Sequence, residues 1–141
     1  MEEGKRKFYQ ECSLELQKEL IEKLKEKYRC TNQVLTCTKE LESAMQNNDE
    51  ICIALVLKMR AQELEAVQLC NQWLEGMLVA QGIHDREIHL YFTKGKGVEE
   101  QEVDEVVTFL QGIKIMAMKA CALDEKISKK VLGQKSYYEK K

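Results

Sequence analysis

The chain contains no proline in 141 residues. Proline removes a backbone hydrogen bond and clashes with the preceding turn, so its absence allows helices to continue without interruption. Strong helix formers fill long stretches of the sequence, and apolar residues recur at alternating steps of three and four. We therefore expect an all-α protein built from a few very long helices.

Composition narrows the class of protein further. Hydrophobic residues make up 44% of the chain and charged residues 33%, which argues against intrinsic disorder. The formal net charge of -2 offers no basic field for duplex DNA, so we expect no nucleic-acid partner. No run approaches the roughly 18 apolar residues of a membrane span, and the charged N-terminus lacks the apolar core of a signal peptide. These features predict a cytoplasmic protein without a membrane span.

Turn signals divide the chain, which we treat as one domain over residues 1–141, into three long helices. A polar run at 46–49 separates the first helix from the second, because Asn and Asp side chains compete for backbone hydrogen bonds. Gly82 is predicted to end the second helix, and glutamates open the third while lysines close it. We expect an elongated antiparallel three-helix bundle of coiled-coil type. Its helices are predicted at about 7–46, 49–80 and 98–135, with a short irregular or helical connector at 81–97.

No motif in the sequence indicates catalysis or a bound metal. The six cysteines form no Cys-x-x-Cys pair, which favours reduced thiols over disulfides or a zinc site. His84 and His89 stand apart from any cysteine, and neither follows a Glu by three residues as di-iron bundles require. The glycine-rich segment 95–97 lacks the Ser or Thr that a phosphate-binding loop needs. We predict no catalytic residues, no metal and no cofactor, and a protein that is not an enzyme.

Three polar residues interrupt the apolar stripes of the second and third helices. Arg60 and Asn71 occupy stripe positions of the second helix, and Asp124 interrupts the stripe of the third. A buried polar network among them would set the register of the helices. Alternatively, Arg60 and Asn71 lie near the edge of the stripe and reach water.

Two segments are apolar on every side of the helix, which one bundle core does not require. They are 51–57 in the second helix and 113–123 in the third, where Ile115, Met118 and Ala122 lie opposite the core stripe. Such a segment needs a further cover: a second subunit, a partner helix, or the connector folded back. A thicker core or a homodimer seam would explain the pattern equally well.

The order of these features resembles the FlgN family of flagellar secretion chaperones and, more loosely, the neighbouring FliT chaperones. A charged first helix leads into an Asn-Asn-Asp-Glu turn, then into a helix with a basic-then-Gln element, and a last helix ends in lysines. The pattern covers nearly the whole chain. The residues that carry it are Leu20, Ile21, Leu24, Asn47 to Glu50, Lys58 to Glu63, Leu64, Val67, Trp73, Leu74, Gly82 and Ile83.

The resemblance implies a cytoplasmic, non-enzymatic chaperone that binds the C-terminal helical region of hook-filament junction proteins and keeps them competent for export. An amphipathic client helix would then dock on the apolar face of the last helix. The alternative is a helical adaptor or structural protein that homodimerises through the same face. The predicted partner-binding residues are Phe109, Ile115, Met116, Met118 and Leu123.

Overall fold

The structure, a computed structural model, describes residues 8–98 and 104–139 of the chain. Every regular element within these two ranges is helical, which confirms the predicted all-α class. A helical turn at 8–11 precedes four helices: α1 at Leu14–Gln46, α2 at Glu50–Ala80, α3 at Arg86–Lys94 and α4 at Glu105–Glu139.

The first long helix begins later than the predicted start near residue 7, which itself lies outside the described residues. Ser13 has an extended backbone, with φ −60° and ψ 154°, and caps α1. Its hydroxyl oxygen accepts a hydrogen bond from the Leu16 amide at 3.1 Å. The side-chain amide of Gln17 donates to the Tyr9 carbonyl at 2.7 Å and ties the preceding helical turn to α1. The chain is therefore helical on both sides of residues 12–13 but changes direction there.

A tight turn reverses the chain between α1 and α2. Asn48 takes the left-handed conformation, with φ 52°, which asparagine tolerates better than most residues. The Asp49 amide donates to the Ala44 carbonyl at 3.0 Å, and the Asp49 carboxylate accepts from the Cys52 amide at 3.0 Å. One short polar run thus ends the first helix and caps the second.

The predicted connector contains the short helix α3. Gly82, at φ 76°, lets the Ile83 amide donate to the Leu78 carbonyl at 2.9 Å, which confirms that this glycine ends α2. Asp85 then caps α3 by accepting from the Glu87 amide at 2.9 Å. At the other end, a Cβ atom on Gly95 would lie 3.2 Å from the Leu110 carbonyl oxygen of α4. The lack of a side chain there allows α3 to end close against α4.

The last helix is described from Glu105 onwards, and the part of its predicted start at 99–103 lies outside the described residues. The Asp104 carboxylate accepts a hydrogen bond from the Val107 amide at 2.9 Å. This contact caps the first turn of α4. The helix runs to Glu139, four residues beyond the predicted end at about 135.

The helix α1 lies between the two other long helices and packs against both, while the backbones of α2 and α4 hardly approach each other. Residue numbers of the contacting side chains fall along α2 and rise along α4 as they rise along α1. The helix α2 is therefore antiparallel to α1, and α4 is parallel to it. Three buried clusters record this order: Leu20, Leu24, Leu74, Leu78 and Leu110; then Val34, Leu35, Met116 and Ala120 with Val67; then Cys37, Leu41, Val56 and Ile127.

The change Ser13→Ala removes the side-chain acceptor at the start of α1. We expect it to lower the free energy of unfolding by about 1 kcal/mol, because the Leu16 amide loses its partner. The matched control is Ser43→Ala, at an exposed position of the same helix, which should leave stability unchanged or slightly raised. Urea denaturation followed by circular dichroism measures both. Equal effects of the two substitutions would contradict the capping role of Ser13.

Candidate functional site

The five predicted partner-binding residues do not share one surface. Met116 is only 9% exposed and packs in the buried cluster with Val34 and Leu35. Leu123 is partly buried against the cluster that contains Leu41 and Ile127. Of the five, Ile115 is 52% exposed and Met118 is 63% exposed.

Helix geometry explains why some of the predicted residues are buried and others exposed. Phe109, Met116 and Leu123 follow one another at steps of seven residues, two turns of helix, so they fall on the side of α4 that faces α1. The Phe109 ring meets the Tyr28 ring of α1 edge to face, with 5.8 Å between centroids. Ile115 and Met118 lie on the outer side of the helix. The predicted docking surface therefore reduces to these two residues and the exposed Ala122 beside them.

A longer apolar stripe lies exposed on α2. Ile51, Leu55, Met59 and Leu69 are all exposed, and Ile51 reaches 85%. Together with Gln62 and the half-buried Ala66 they follow one another at steps of three and four residues, so they share a face of the helix. Its first part lies in the segment 51–57, which the sequence predicts to be apolar on every side. Its extension to Leu69 appears only once the packing of α2 is known.

An apolar cleft of about 210 Å³ lies between α2 and α4, with α1 as its floor. We call it the α2–α4 groove. Its charged ends are formed by Lys27 and Lys94, beside Thr93, at one end and by Arg60 and Asp124 at the other. It exists because both walls pack against α1 while their backbones hardly approach each other. The apolar side chains that line it are Val34, Leu64, Val67, Ile113, Ala117 and Ala120.

The short helix α3 closes one end of this groove. Tyr91 and Phe92 are buried in the same cluster as Leu74 of α2 and Leu110 of α4, so α3 fills the space between the two long helices there. The His89 ring nitrogen Nε2 and the Ile83 carbonyl oxygen are 2.7 Å apart, a hydrogen bond that holds α3 to the chain after α2. His89 thus has a structural role in positioning α3.

Lys27 is the most unusual charged residue of the described chain, because it is only 4% exposed. Its ammonium nitrogen donates a hydrogen bond to the carbonyl oxygen of Thr93 in the last turn of α3. That carbonyl lies at the negative end of the helix dipole. Burial, and secondarily the charge of Lys94, lowers the pKa of Lys27 from 10.5 to about 8.

Lys27 was not predicted from the sequence, although the sequence carries a signal for it. Buried positions of α1 follow the series 20, 24, 27, 31, 34, 38 and 41, in which steps of four and three alternate. Lys27 fills the place between Leu24 and Thr31 where an apolar residue is expected. Lysine is rarely buried, so a lysine at a position of the core stripe indicates either a buried charge or a local gap in the packing.

Arg60 and Asp124 form an ion pair that joins α2 to α4 across the groove. Their side chains are 18% and 37% exposed, so the pair lies at the edge of the core. Asn71 lies 11 residues further along α2, and its buried Oδ1 has no hydrogen-bond donor among the described residues. The polar network considered from the sequence is thus realised for Arg60 and Asp124 and does not include that oxygen of Asn71.

The cysteines are free thiols in the described part of the chain. Burial raises the pKa of Cys30, Cys37 and Cys70, which keeps these thiols protonated. Within residues 8–98 and 104–139, no three His, Cys, Asp or Glu side chains lie together in a way that would hold a metal ion.

One segment of α4, Glu105–Lys130, is long and apolar enough to cross a membrane by length and composition. One third of its most apolar window is buried against the rest of the protein. A core helix of a helical protein meets the same two criteria, so this segment is compatible with the packing against α1 described above.

The pH dependence of stability tests the burial of Lys27. Between its folded pKa near 8 and its ordinary pKa of 10.5, the unfolded chain binds more protons than the folded chain at this site. Stability from this group therefore rises with pH through that window. We expect the free energy of unfolding to rise by about 2 kcal/mol relative to Lys27→Met between about pH 7.5 and pH 10.

The comparison with Lys27→Met is needed because the buried thiols lower the free energy of unfolding as the pH rises, whereas Lys27 raises it. Their pKa values are raised, so their contribution to stability is lost as the pH rises above the ordinary pKa of a thiol. For Cys30 and Cys37 that contribution is common to both chains and cancels in the difference. The charge of Lys27 lowers the pKa of Cys70, so the part of the Cys70 contribution that depends on Lys27 remains in the difference. Urea denaturation under reducing conditions measures the difference in the free energy of unfolding between the two chains. If that difference does not change with pH, a buried ammonium at position 27 is contradicted.

Comparison of the chain with protein-family models, with curated proteins and with solved structures gives no match.

Proposed function

We propose that the protein is a non-enzymatic, cytoplasmic secretion chaperone of the FlgN type, which binds the C-terminal helical region of flagellar hook-filament junction proteins. The observation that carries the proposal is the exposed apolar surface of α4. Ile115 and Met118 stay more than half exposed on a helix whose other side packs against α1. Exposed apolar residues that recur on one helix face are typical of a surface that receives another polypeptide.

We infer that the chain functions as an elongated antiparallel three-helix bundle of coiled-coil type. At 1.5 Å per residue, the 33 residues of α1 correspond to a rod about 50 Å long. In such a rod α1 is covered on two sides, while α2 and α4 each keep an outer flank. A long, narrow flank is the shape that a helical segment of a partner can follow.

The residue types on the outer flank of α4 support a helical partner. Ile115, Met118 and Ala122 recur at steps of three and four, which is the spacing by which one helix docks on another. Methionine has an unbranched, flexible side chain that adjusts to different partners. A small residue such as Ala122 lets the partner helix approach closely.

The alternative function is that of a helical adaptor or structural protein that homodimerises through the same face of α4. It would use the same residues and would bury them against a second copy of the chain. The oligomeric state in solution separates the two functions. A dimer that persists at micromolar concentration and excludes the client would favour the adaptor.

The double change Ile115→Glu with Met118→Glu tests the chaperone function. We expect it to weaken binding of a labelled peptide from the C-terminal helix of a junction protein at least tenfold, because two charges would be buried at the contact. The free chain should keep its helical content and unfold within about 0.5 kcal/mol per substitution of the original, since both positions are exposed. Fluorescence anisotropy measures the binding, and circular dichroism measures the fold.

Two further variants give this experiment its controls. Ser128→Glu places a new charge on an exposed position of α4 away from Ile115 and should leave binding unchanged. Ile51→Glu with Leu55→Glu places two charges on the exposed stripe of α2 and tests whether that surface takes part. Binding that survives the α4 change and fails with the α2 change would move the docking site to α2. Failure of the unmodified chain to bind any junction-protein peptide would overturn the function itself.

A further inference from the structure

We propose that the α2–α4 groove is a binding site for a free aliphatic carboxylate of medium chain length, with the carboxylate beside Lys27, Lys94 and Lys114 and the chain along the apolar walls. This site is separate from the outer flank of α4 that carries Ile115 and Met118, and it does not depend on the chaperone function. Two properties of the groove point to this ligand: an apolar interior of limited volume and an excess of positive charge at one end.

The volume of the groove limits the size of the ligand. A dry engineered cavity of about 150 Å³ accommodates benzene, which has six heavy atoms. The 210 Å³ of the α2–α4 groove is therefore suited to a ligand on the order of ten heavy atoms. Octanoate has that size. Full-size drug-like ligands, which fill about 300–1,000 Å³, exceed it.

The walls of the groove favour a narrow, unbranched chain. Ala117 and Ala120 of α4 are small, and Val34 and Val67 line the opposite surfaces. A helix with its side chains is about 10–12 Å across. The Arg60–Asp124 ion pair already joins α2 and α4 across the far end, so a whole helix has no room to lie between them there. An aliphatic chain needs only the width of a methylene group.

The other end of the groove carries three positively charged side chains. Lys27, Lys94 and Lys114 all border the groove there. Among the described residues, none of these three lysines forms an ion pair with a carboxylate. Lys27 has three N–H donors, and its hydrogen bond to the Thr93 carbonyl uses one of them.

A carboxylate at this position would remove an existing electrostatic cost. The charged form of Lys27 is disfavoured by burial and by the neighbouring Lys94. An anion nearby offsets both effects, and its attraction to the ammonium is strong because the surroundings are apolar. The apolar chain of the ligand would at the same time cover Val67 and the half-exposed Leu64. One molecule with an anionic head and an aliphatic tail satisfies both requirements.

Isothermal titration calorimetry of the full chain with octanoate tests the proposal. We expect saturable binding of one octanoate, at least tenfold tighter than that of octan-1-ol, which lacks the charge, and of acetate, which lacks the chain. Octanoate should also slow alkylation of Cys121, whose exposed side chain borders the groove. Absence of saturable binding at millimolar octanoate would overturn the proposal, as would equal affinity for octanoate and octan-1-ol.

Two groove variants locate the ligand. Lys27→Met should weaken octanoate binding at least tenfold, whereas Lys25→Met, at an exposed lysine of the same helix, should leave it unchanged. Ala117→Phe fills the groove from an exposed position and leaves residue 27 unchanged, so it reports on the site even if Lys27→Met does not fold. It should abolish octanoate binding. Unchanged affinity in Ala117→Phe would show that octanoate binds elsewhere and would overturn the proposal.

Client-peptide binding by the same variants separates this site from the chaperone function. The peptide should bind Ala117→Phe and the original chain with equal affinity, because Ile115 and Met118 lie on the outer side of α4. Loss of octanoate binding with retained peptide binding supports two separate sites. Loss of both in Ala117→Phe would instead show that the groove itself receives the peptide, and the carboxylate site would be wrong.

Discussion

The burial of α1 between α2 and α4 is the contact on which the rest of the structure depends. A stripe of alternating three- and four-residue steps runs along α1 from Leu20 to Leu41 and supplies residues to all three buried clusters. Two threonines remain in the stripe because their hydroxyls are satisfied within the helix, whereas the buried Lys27 bonds to α3. The hydroxyls of Thr31 and Thr38 donate to the carbonyls four residues earlier, each at 2.7 Å. Since both neighbours pack on α1, they leave a groove between them and expose their outer flanks.

The α2–α4 groove and the exposed outer flanks of α2 and α4 have the same cause: the chain has too few helices to cover every apolar face. The short helix α3 fills the gap between α2 and α4 at one end only, where Tyr91 and Phe92 enter the core. Its last turn brings a carbonyl group to Lys27, and the helix dipole makes that carbonyl a suitable partner for a buried ammonium. The apolar groove begins where α3 ends. The charged end of the groove is thus a direct result of the length of α3.

Much of the fold follows from local patterns in the sequence. The absence of proline, the polar run at 46–49 and the glycine at position 82 predict where helices continue and where they end, because these signals act through the backbone of a few neighbouring residues. The outer positions of Ile115 and Met118 are predicted in the same way from helical periodicity. The break at Ser13 is harder to predict, since it depends on hydrogen bonds between Gln17 and the turn before it.

The sequence by itself determined the all-α class, the main turns and the presence of apolar surface beyond the needs of one core. Tertiary structure decided which apolar residues are covered: Met116 and Leu123 face α1, although they stand beside the exposed Ile115 and Met118 in an almost continuous apolar run. It also decided the burial of Lys27 and the ion pair between Arg60 and Asp124. Periodicity tells which residues share a face of a helix, but the neighbour that covers that face comes from elsewhere in the chain.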